Sequence, residues 1–373
     1  MPIPTPFHTR TAERCESFEW RSWSGYLAAG VYEPTFEREY FAIRNSAAVI
    51  DVSPLFKYEI IGPDAARVVD RIVTRDVSKC RVGQVMYSPW CNEEGKVIDD
   101  GVIARIDEDR LRMTAADPNL NWFTDVGFGF NAQVRDVTAD LAALALQGPN
   151  SRAILKELDI SGIDFDGLKY FRLAQGRLDN FPITVTRTGY TGDLGYELWV
   201  APQNAETLWD HLMDAGAMYG ILPAGMVALD ITRIEAGFPL IEIDYISAHH
   251  ARIEEQKSSP FEIGLGWAVA LDGSSFIGQK ALRAEKERGS TWALIGIAID
   301  WVDLERLFNK VNLPPQVTGR ASREAVPLYK GGKQIGQITS STFSPVLKKY
   351  IGMGTVLSEY ATTGTQVEVE ITV

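Results

Sequence analysis

Twice along the chain an apolar, strand-like run stops at Gly-Pro and gives way to apolar residues at helical spacing. The segments are Tyr58 to Ile72 (YEIIGPDAARVVDRI) and Ala143 to Leu158 (ALALQGPNSRAILKEL). Gly-Pro ends the strand, Asp64 or Asn150 stands where an N-cap belongs, and the positions that follow build an apolar helix face. The pair predicts a repeated β-α unit, against the alternative that the same turn chemistry has simply recurred. Between the copies, VMYSPW, KVIDDGVIARI and DRLRMTAAD alternate as strands, parted by the turn signals Asn-Glu-Glu-Gly and Asp-Glu-Asp, and predict an antiparallel meander.

Further on, Ile183 to Thr186 and Gly195 to Val200 read as strands flanking the loop RTGYTGDLG, and NAETLWDHLMDAG reads as an amphipathic helix with Leu208, Leu212 and Ala215 on one face. From about Leu294 the pattern turns all-β, with LIGIAID and QIGQITSS divided by Gly-rich turns such as LYKGGKQIG. A small separate barrel is the natural reading of that tail. The charged stretch ALRAEKERGS, after the apolar GLGWAVAL, marks the expected boundary, giving regions 1–280 and 281–373.

The chain has 373 residues, 45% of them hydrophobic, enough for more than one core. With 37 Lys and Arg against 49 Asp and Glu, the net charge is −12, which argues against a phosphate-backbone binder. No nucleic-acid partner is expected. Three cysteines, Cys15, Cys80 and Cys91, lack a CxxC spacing, so neither a disulfide framework nor a zinc site is expected. His249 and His250 are adjacent, which is not ligand spacing on a helix, and read as loop residues; no metal is expected. MPIPTPFHTR lacks an apolar core for a signal, and no run of about 18 apolar residues occurs. The expectation is a cytoplasmic protein with no membrane association.

The segment richest in chemistry is Tyr87 to Val102, YSPWCNEEGKVIDDGV. Two adjacent acids in an apolar strand project to opposite faces, so at least one is directed into a buried or ligand-lined space, where a carboxylate needs a partner or a role. An acidic pair that merely terminates a strand is the alternative.

This segment resembles the Y-S-x-x-x-N-x-x-G-x-x-x-D-D pattern of the aminomethyltransferase (glycine-cleavage T-protein) family at Tyr87, Ser88, Asn92, Gly95, Asp99 and Asp100. Upstream, Arg44, Ser46, Asp51 and Ser53 resemble the family's R-x-S-x-x-x-x-D-x-S segment. Downstream, RTGYTGDLGYEL is similar at Arg187 to Gly192, Gly195, Tyr196 and Glu197, and RIEAGFPL, PFEIGLGWAV, FIGQKAL and ITSSTFSPVLKKYIGMG follow in order. The resemblance spans roughly Arg44 to Gly354.

It implies an α+β fold, a three-domain ring (cloverleaf) of two α/β folate-binding domains and a C-terminal small β-barrel. It also implies tetrahydrofolate as the cosubstrate. By that resemblance Asp100 lies beside the reactive N5/N10 edge and is the catalytic residue, able to accept the N5 proton or stabilise a developing cation. Tyr87 lines the pocket, Glu197 pairs with the pterin 2-amino and N3 hydrogens, and Tyr190 and Arg233 complete the folate contacts.

The chain departs from the family on what would be the donor side. Leu229 occupies the Arg of the family's G-x-G-A-R-D, although Asp230 and Arg233 remain, and FPLIEIDYISAHH follows RIEAG in place of the usual aromatic-Gly-x-Asp-Met-Asp run. The closing Lys-Pro-Phe segment is replaced by VEVEITV. Losing a guanidinium removes five donors and a fixed charge. Trp90, Phe238 and Leu229 are therefore the candidate donor-side residues, with Trp90 read either as core or as an aromatic wall for a cationic donor. The expected function is a tetrahydrofolate-dependent C1 transferase demethylating a small N-, S- or O-methyl donor. The alternatives are the glycine-cleavage aminomethyltransferase, which would take its carbon from a lipoyl carrier protein, and a non-catalytic folate-binding protein, against which FIGQKAL counts because it lacks a Lys-Gly-Cys motif.

Overall fold

A computed structural model describes residues 1–317 and 319–372. The chain opens with α1 (His8–Arg14), the ribbon β1 (Glu19–Trp23) and β2 (Tyr26–Val31), then α2 (Glu37–Asn45), β3 (Ala47–Asp51), β4 (Phe56–Ile61) and α3 (Ala65–Ile72). The meander follows as β5 (Val85–Cys91), β6 (Val97–Asp107) and β7 (Arg110–Ala115), then α4 (Leu120–Val126), β8 (Gln133–Asp136), β9 (Ala142–Gln147) and α5 (Ser151–Glu157). Next come β10 (Leu173–Leu178), β11 (Phe181–Thr186), β12 (Gly195–Val200), α6 (Ala205–Gly216), β13 (Ile221–Pro223) and α7 (Met226–Ala236). The tail carries α8 (Gln279–Arg288), β14 (Trp292–Ile299), α9 (Trp301–Asn309), β15 (Val326–Lys330), β16 (Lys333–Ser344), β17 (Lys349–Leu357) and β18 (Glu368–Val369).

By internal contacts the chain forms two compact units, one of residues 1–88 and 100–232, the other of 89–99 and 233–373. The first holds the six-stranded sheet β10-β11-β12-β9-β3-β13, whose one face packs on α5 and α6 around Leu144, Leu146, Tyr196, Leu198, Leu208 and Leu212. Each fully buried aliphatic side chain there contributes about 2 kcal/mol. The face expected of α6 is the one that packs: Leu208 and Leu212 are buried, with Ala215 partly so. The second sheet, β5-β6-β7-β4-β8, contains the predicted meander, antiparallel between β6 and β7.

Both Gly-Pro units form as read, one in each sheet. Gly62 and Gly148 adopt φ of 134° and 123°, and a Cβ there would lie 2.6 Å from the Asn131 carbonyl or 2.7 Å from that of Ser46. Only glycine fits both the conformation and the space. The expected caps do not form, because each side chain is taken by a neighbouring loop. Asp64 accepts from the Asn131 N–H (2.9 Å) and Asn150 donates to the Tyr219 carbonyl (3.0 Å).

In the second unit the five-stranded sheet β14-β17-β16-β15-β18 encloses a small core of Leu328, Ile335, Ile338 and Val356. ALRAEKERGS is largely the helix α8: Arg283, Lys286, Glu287 and Arg288 are exposed while Leu282 and Glu285 are buried, Glu285 accepting from the Ser259 and Ser290 hydroxyls at 2.6 and 2.7 Å. Among the described residues no helix is long and apolar enough to cross a membrane.

Candidate active site

Strand alternation separates the two acids of β6 as expected. Asp99 is fully buried, whereas Asp100 is half-buried on the other face. On the neighbouring strand β5, the Tyr87 hydroxyl donates to Asp100 Oδ2 at 2.7 Å, a charge-assisted bond that fixes the orientation of the carboxylate. The same face of the sheet continues through Val102 and Ala104 to Thr114 and Arg112 on β7, and to Lys57 and Glu59 on β4, which sit opposite Thr114 and Arg112 in register. Val102 N–H donates to Thr114 Oγ1 (3.1 Å).

That polar face holds groups the motif reading passed over. Lys57 is fully buried and donates to the carbonyls of Ser53 (2.6 Å) and Leu55 (2.8 Å); burial pushes its pKa down to about 8, against the opposing pull of Asp51. Glu59 accepts from Arg110 and Arg112, and the two guanidiniums hold its pKa below the usual carboxylate value although burial opposes them. The signal was present in FKYEII: two charges at strand period inside an apolar run.

The second cluster stands on β12. Tyr196 and Leu198 face the core beneath α5 and α6, so Glu197 between them projects from the opposite face. Glu197 is half-buried, and desolvation raises its pKa while the Thr188 and Thr186 hydroxyls oppose the rise. Thr186 Oγ1 lies 3.4 Å from the Glu197 carboxylate and 2.7 Å from Thr188 Oγ1. A carboxylate has about four acceptor sites, so threonine hydroxyls leave capacity for a ligand with adjacent N–H donors.

The loop before Glu197 is shaped by one side chain. A Cβ on Gly189 or Gly195 would lie 2.1 or 2.2 Å from Gln147 Oε1, and Gln147 uses the space to accept from Thr191 (2.9 Å) and to donate to the Thr188 carbonyl (3.4 Å). Arg44 clamps the loop from outside, bonding the Thr191 carbonyl at 2.7 Å and the Asp193 carboxylate. Tyr190, at the loop's tip, is half-buried.

Main-chain bonds join the two clusters. Val85 N–H donates to the Phe171 carbonyl (3.0 Å), and Phe171 N–H donates to that of Arg187 (3.1 Å). The strand carrying Tyr87 is thus two hydrogen bonds from the start of the loop that ends at Glu197. Leu229 is buried in the portion of α7 belonging to this unit, its N–H bonded to the Gly225 carbonyl.

Three of the candidate residues belong to the second unit. Trp90 is fully buried. Arg233 is buried too, bonding Asp244 (2.5 Å), Ser340 Oγ (2.8 Å) and the Phe238 carbonyl (3.3 Å), and Asp244 also accepts from Thr339 and Ser340, both at 2.6 Å. This ion pair ties the RIEAG segment to β16. Phe238 is half-buried and bonds the Arg233 carbonyl through its own N–H (2.9 Å).

Comparison with known proteins agrees with the family resemblance of the motifs. Residues 7–273 match the domain family described as "GCVT N-terminal domain", and residues 311–372 match "Glycine cleavage T-protein C-terminal barrel domain". An aminomethyltransferase of Halothermothrix orenii is 35% identical over 338 residues, covering 89% of this chain and 86% of its own. One from Desulfitobacterium hafniense is 33% identical, covering 92% and 86%. The crystal structure of glycine cleavage system aminomethyltransferase T from Bartonella henselae superposes with a TM-score of 0.84 at 24% identity, over all of this chain and 94% of that one; it establishes the likeness of fold.

Proposed function

We propose that this chain, which belongs to the aminomethyltransferase (glycine cleavage T-protein) family, binds tetrahydrofolate and loads it with a carbon carried as an aminomethyl group. It is a C1-transferase enzyme. The observation that carries the reading is the Tyr87–Asp100 bond, 2.7 Å long, on a strand linked by main-chain bonds to the Glu197 loop. Glu197 offers two oxygens to the paired N–H donors of the pterin, and Asp100 then serves the reactive nitrogens. The carboxylate of Asp100 accepts a proton from nitrogen, or stabilises the cation that develops as carbon arrives. Tyr87 holds that carboxylate in one orientation, so little of the geometry is left to be found in the transition state.

The transfer involves no net oxidation or reduction. The carbon exchanges its bonds to the carrier's sulfur and to nitrogen for bonds to N5 and N10; the two folate N–H protons leave with the thiol and with ammonia. The names of the relatives favour this donor over the methyl compounds first expected from the sequence.

One observation keeps the demethylation reading as a second proposal. Leu229 sits where the family pattern has an arginine, and its side chain is buried in α7, so this position offers a donor no charge and no hydrogen bond. A donor held there through apolar contact, such as an N-, S- or O-methyl compound, would give methyl-tetrahydrofolate instead.

Purified protein supplied with tetrahydrofolate and an aminomethylated lipoyl carrier protein should release ammonia and form methylene-tetrahydrofolate. Methyl-tetrahydrofolate formed from a methyl donor, with no ammonia from the carrier, would replace the first reading by the second.

A further inference from the structure

We propose that the outer strand of the C-terminal sheet, β14, is a self-pairing edge through which two copies of this chain associate about a twofold axis. Among the described residues β17 is the only strand hydrogen-bonded to β14, along its whole length from Trp292↔Leu357 to Ile299↔Tyr350. From Gly289 to Ile299 the sequence GSTWALIGIAI contains no charge and no proline. Edge strands are ordinarily protected by such residues, by bulges or by a cover. No bulge interrupts the β14–β17 register, and Trp292, Gly296 and Ala298 are exposed.

The hydrogen-bond parity tells which groups face outward. Ser358 N–H donates to the Thr291 carbonyl at 3.0 Å, so Thr291, Ala293, Ile295, Ile297 and Ile299 are the residues bonded to β17. Trp292, Leu294, Gly296 and Ala298 direct their N–H and C=O groups to the open side. An antiparallel twofold partner must bring those residues opposite one another, and the register centred on Ile295 does so. It sets Leu294 opposite Gly296 of the second copy, and Trp292 opposite Ala298, with about eight new main-chain hydrogen bonds.

That register is complementary in size. Each large side chain on the face of Trp292 meets a small one. Gly296 has nothing within 4 Å of where a Cβ would stand, which leaves room for the incoming leucine. A symmetric, isologous contact closes at two copies, and the uncharged seam offers a second copy of a chain with net charge −12 a place to approach without like charges in register.

The test is sedimentation velocity on the full chain across a concentration series, with hydrogen exchange on the same samples. The expected result is a mass that doubles with concentration. The amides of Trp292, Leu294, Gly296 and Ala298 should become protected only as the dimer forms, while those of Ala293, Ile295 and Ile297 stay protected throughout. Gly296→Lys, which fits the open space in a single copy but drives an ammonium against Leu294 of the second, should return the mass to that of a monomer with melting temperature and C1 transfer unchanged. Ala298→Lys gives an independent arm. A chain that stays monomeric at every concentration overturns the proposal, as does a dimer that survives both lysine variants.

Discussion

The Tyr87 hydroxyl lies 2.7 Å from Asp100 Oδ2. A donor held against a carboxylate fixes its orientation, so the pair acts together. Tyr87→Phe should lower kcat about tenfold, the scale of one hydrogen bond to a charged group, with a smaller change in the KM for tetrahydrofolate. Asp100→Asn keeps the shape and removes the charge; it should cost about 100-fold or more in kcat while folate still binds. Steady-state kinetics with both variants and the double variant would show the coupling, since the second substitution should add little once Asp100 is neutral.

Glu197 sets an expectation for pH. Burial raises its pKa above the ordinary carboxylate value, and pterin N–H donors favour the ionised form. Tetrahydrofolate affinity should therefore fall as pH drops through that raised pKa, with proton release on binding in the same range. Glu197→Gln should weaken binding by about tenfold or more and flatten the pH dependence. Calorimetry in two buffers of different ionisation enthalpy reads both.

A second pH effect belongs to stability. Glu39 is fully buried, and burial raises its pKa to about 7 although the N–H groups of Gly225, Glu33 and Tyr32 oppose the rise. With the folded value above the unfolded one, the folded state binds the extra proton between about pH 4.5 and 7. Its contribution is fully present below that window and is lost as pH rises through it, by up to about 3 kcal/mol. Glu39→Ala should remove that slope; denaturant titrations from pH 4.5 to 8 would show it.

The loop before Glu197 offers a rescue experiment. Gly195→Ala places a methyl group in the space of Gln147 and should destabilise the protein by about 1–3 kcal/mol. Shortening the obstructing side chain with Gln147→Ala should recover part of that loss, whereas two unrelated losses would add. Thermal melts of the four proteins decide between these outcomes.

In the second unit, Arg233→Met leaves Asp244 buried without its cation. The expected cost is about 3–5 kcal/mol of stability, measured by urea unfolding.

How far the sequence carried depended on the range of the interaction. Alternation in KVIDDGVIARI was enough to put Asp99 and Asp100 on opposite faces, because that is local geometry. The Gly-Pro turns were legible for the same reason, but the capping roles of Asp64 and Asn150 were not: the loops that capture them, at Asn131 and Tyr219, are distant in sequence. Arg233 shows the same limit, since its partner Ser340 lies 107 residues away. Lys57 and Glu59 could have been singled out from charge at strand period in FKYEII, but their partners come from the adjoining strand β7 and from the turn before β4. Family resemblance supplied what spacing lacked, namely the roles proposed for Tyr87, Asp100 and Glu197.

Every role proposed here depends on a reduced folate being bound and loaded with carbon through Asp100. The most direct test is a single-turnover reaction of the purified chain with tetrahydrofolate and a 13C-labelled aminomethyl carrier, followed by NMR, for the wild type and Asp100→Asn. Label should move to the folate in the wild type, and the variant should bind folate but transfer about 100-fold more slowly. A wild-type chain that does not bind folate, or an Asp100→Asn variant that transfers at the wild-type rate, would contradict the proposal.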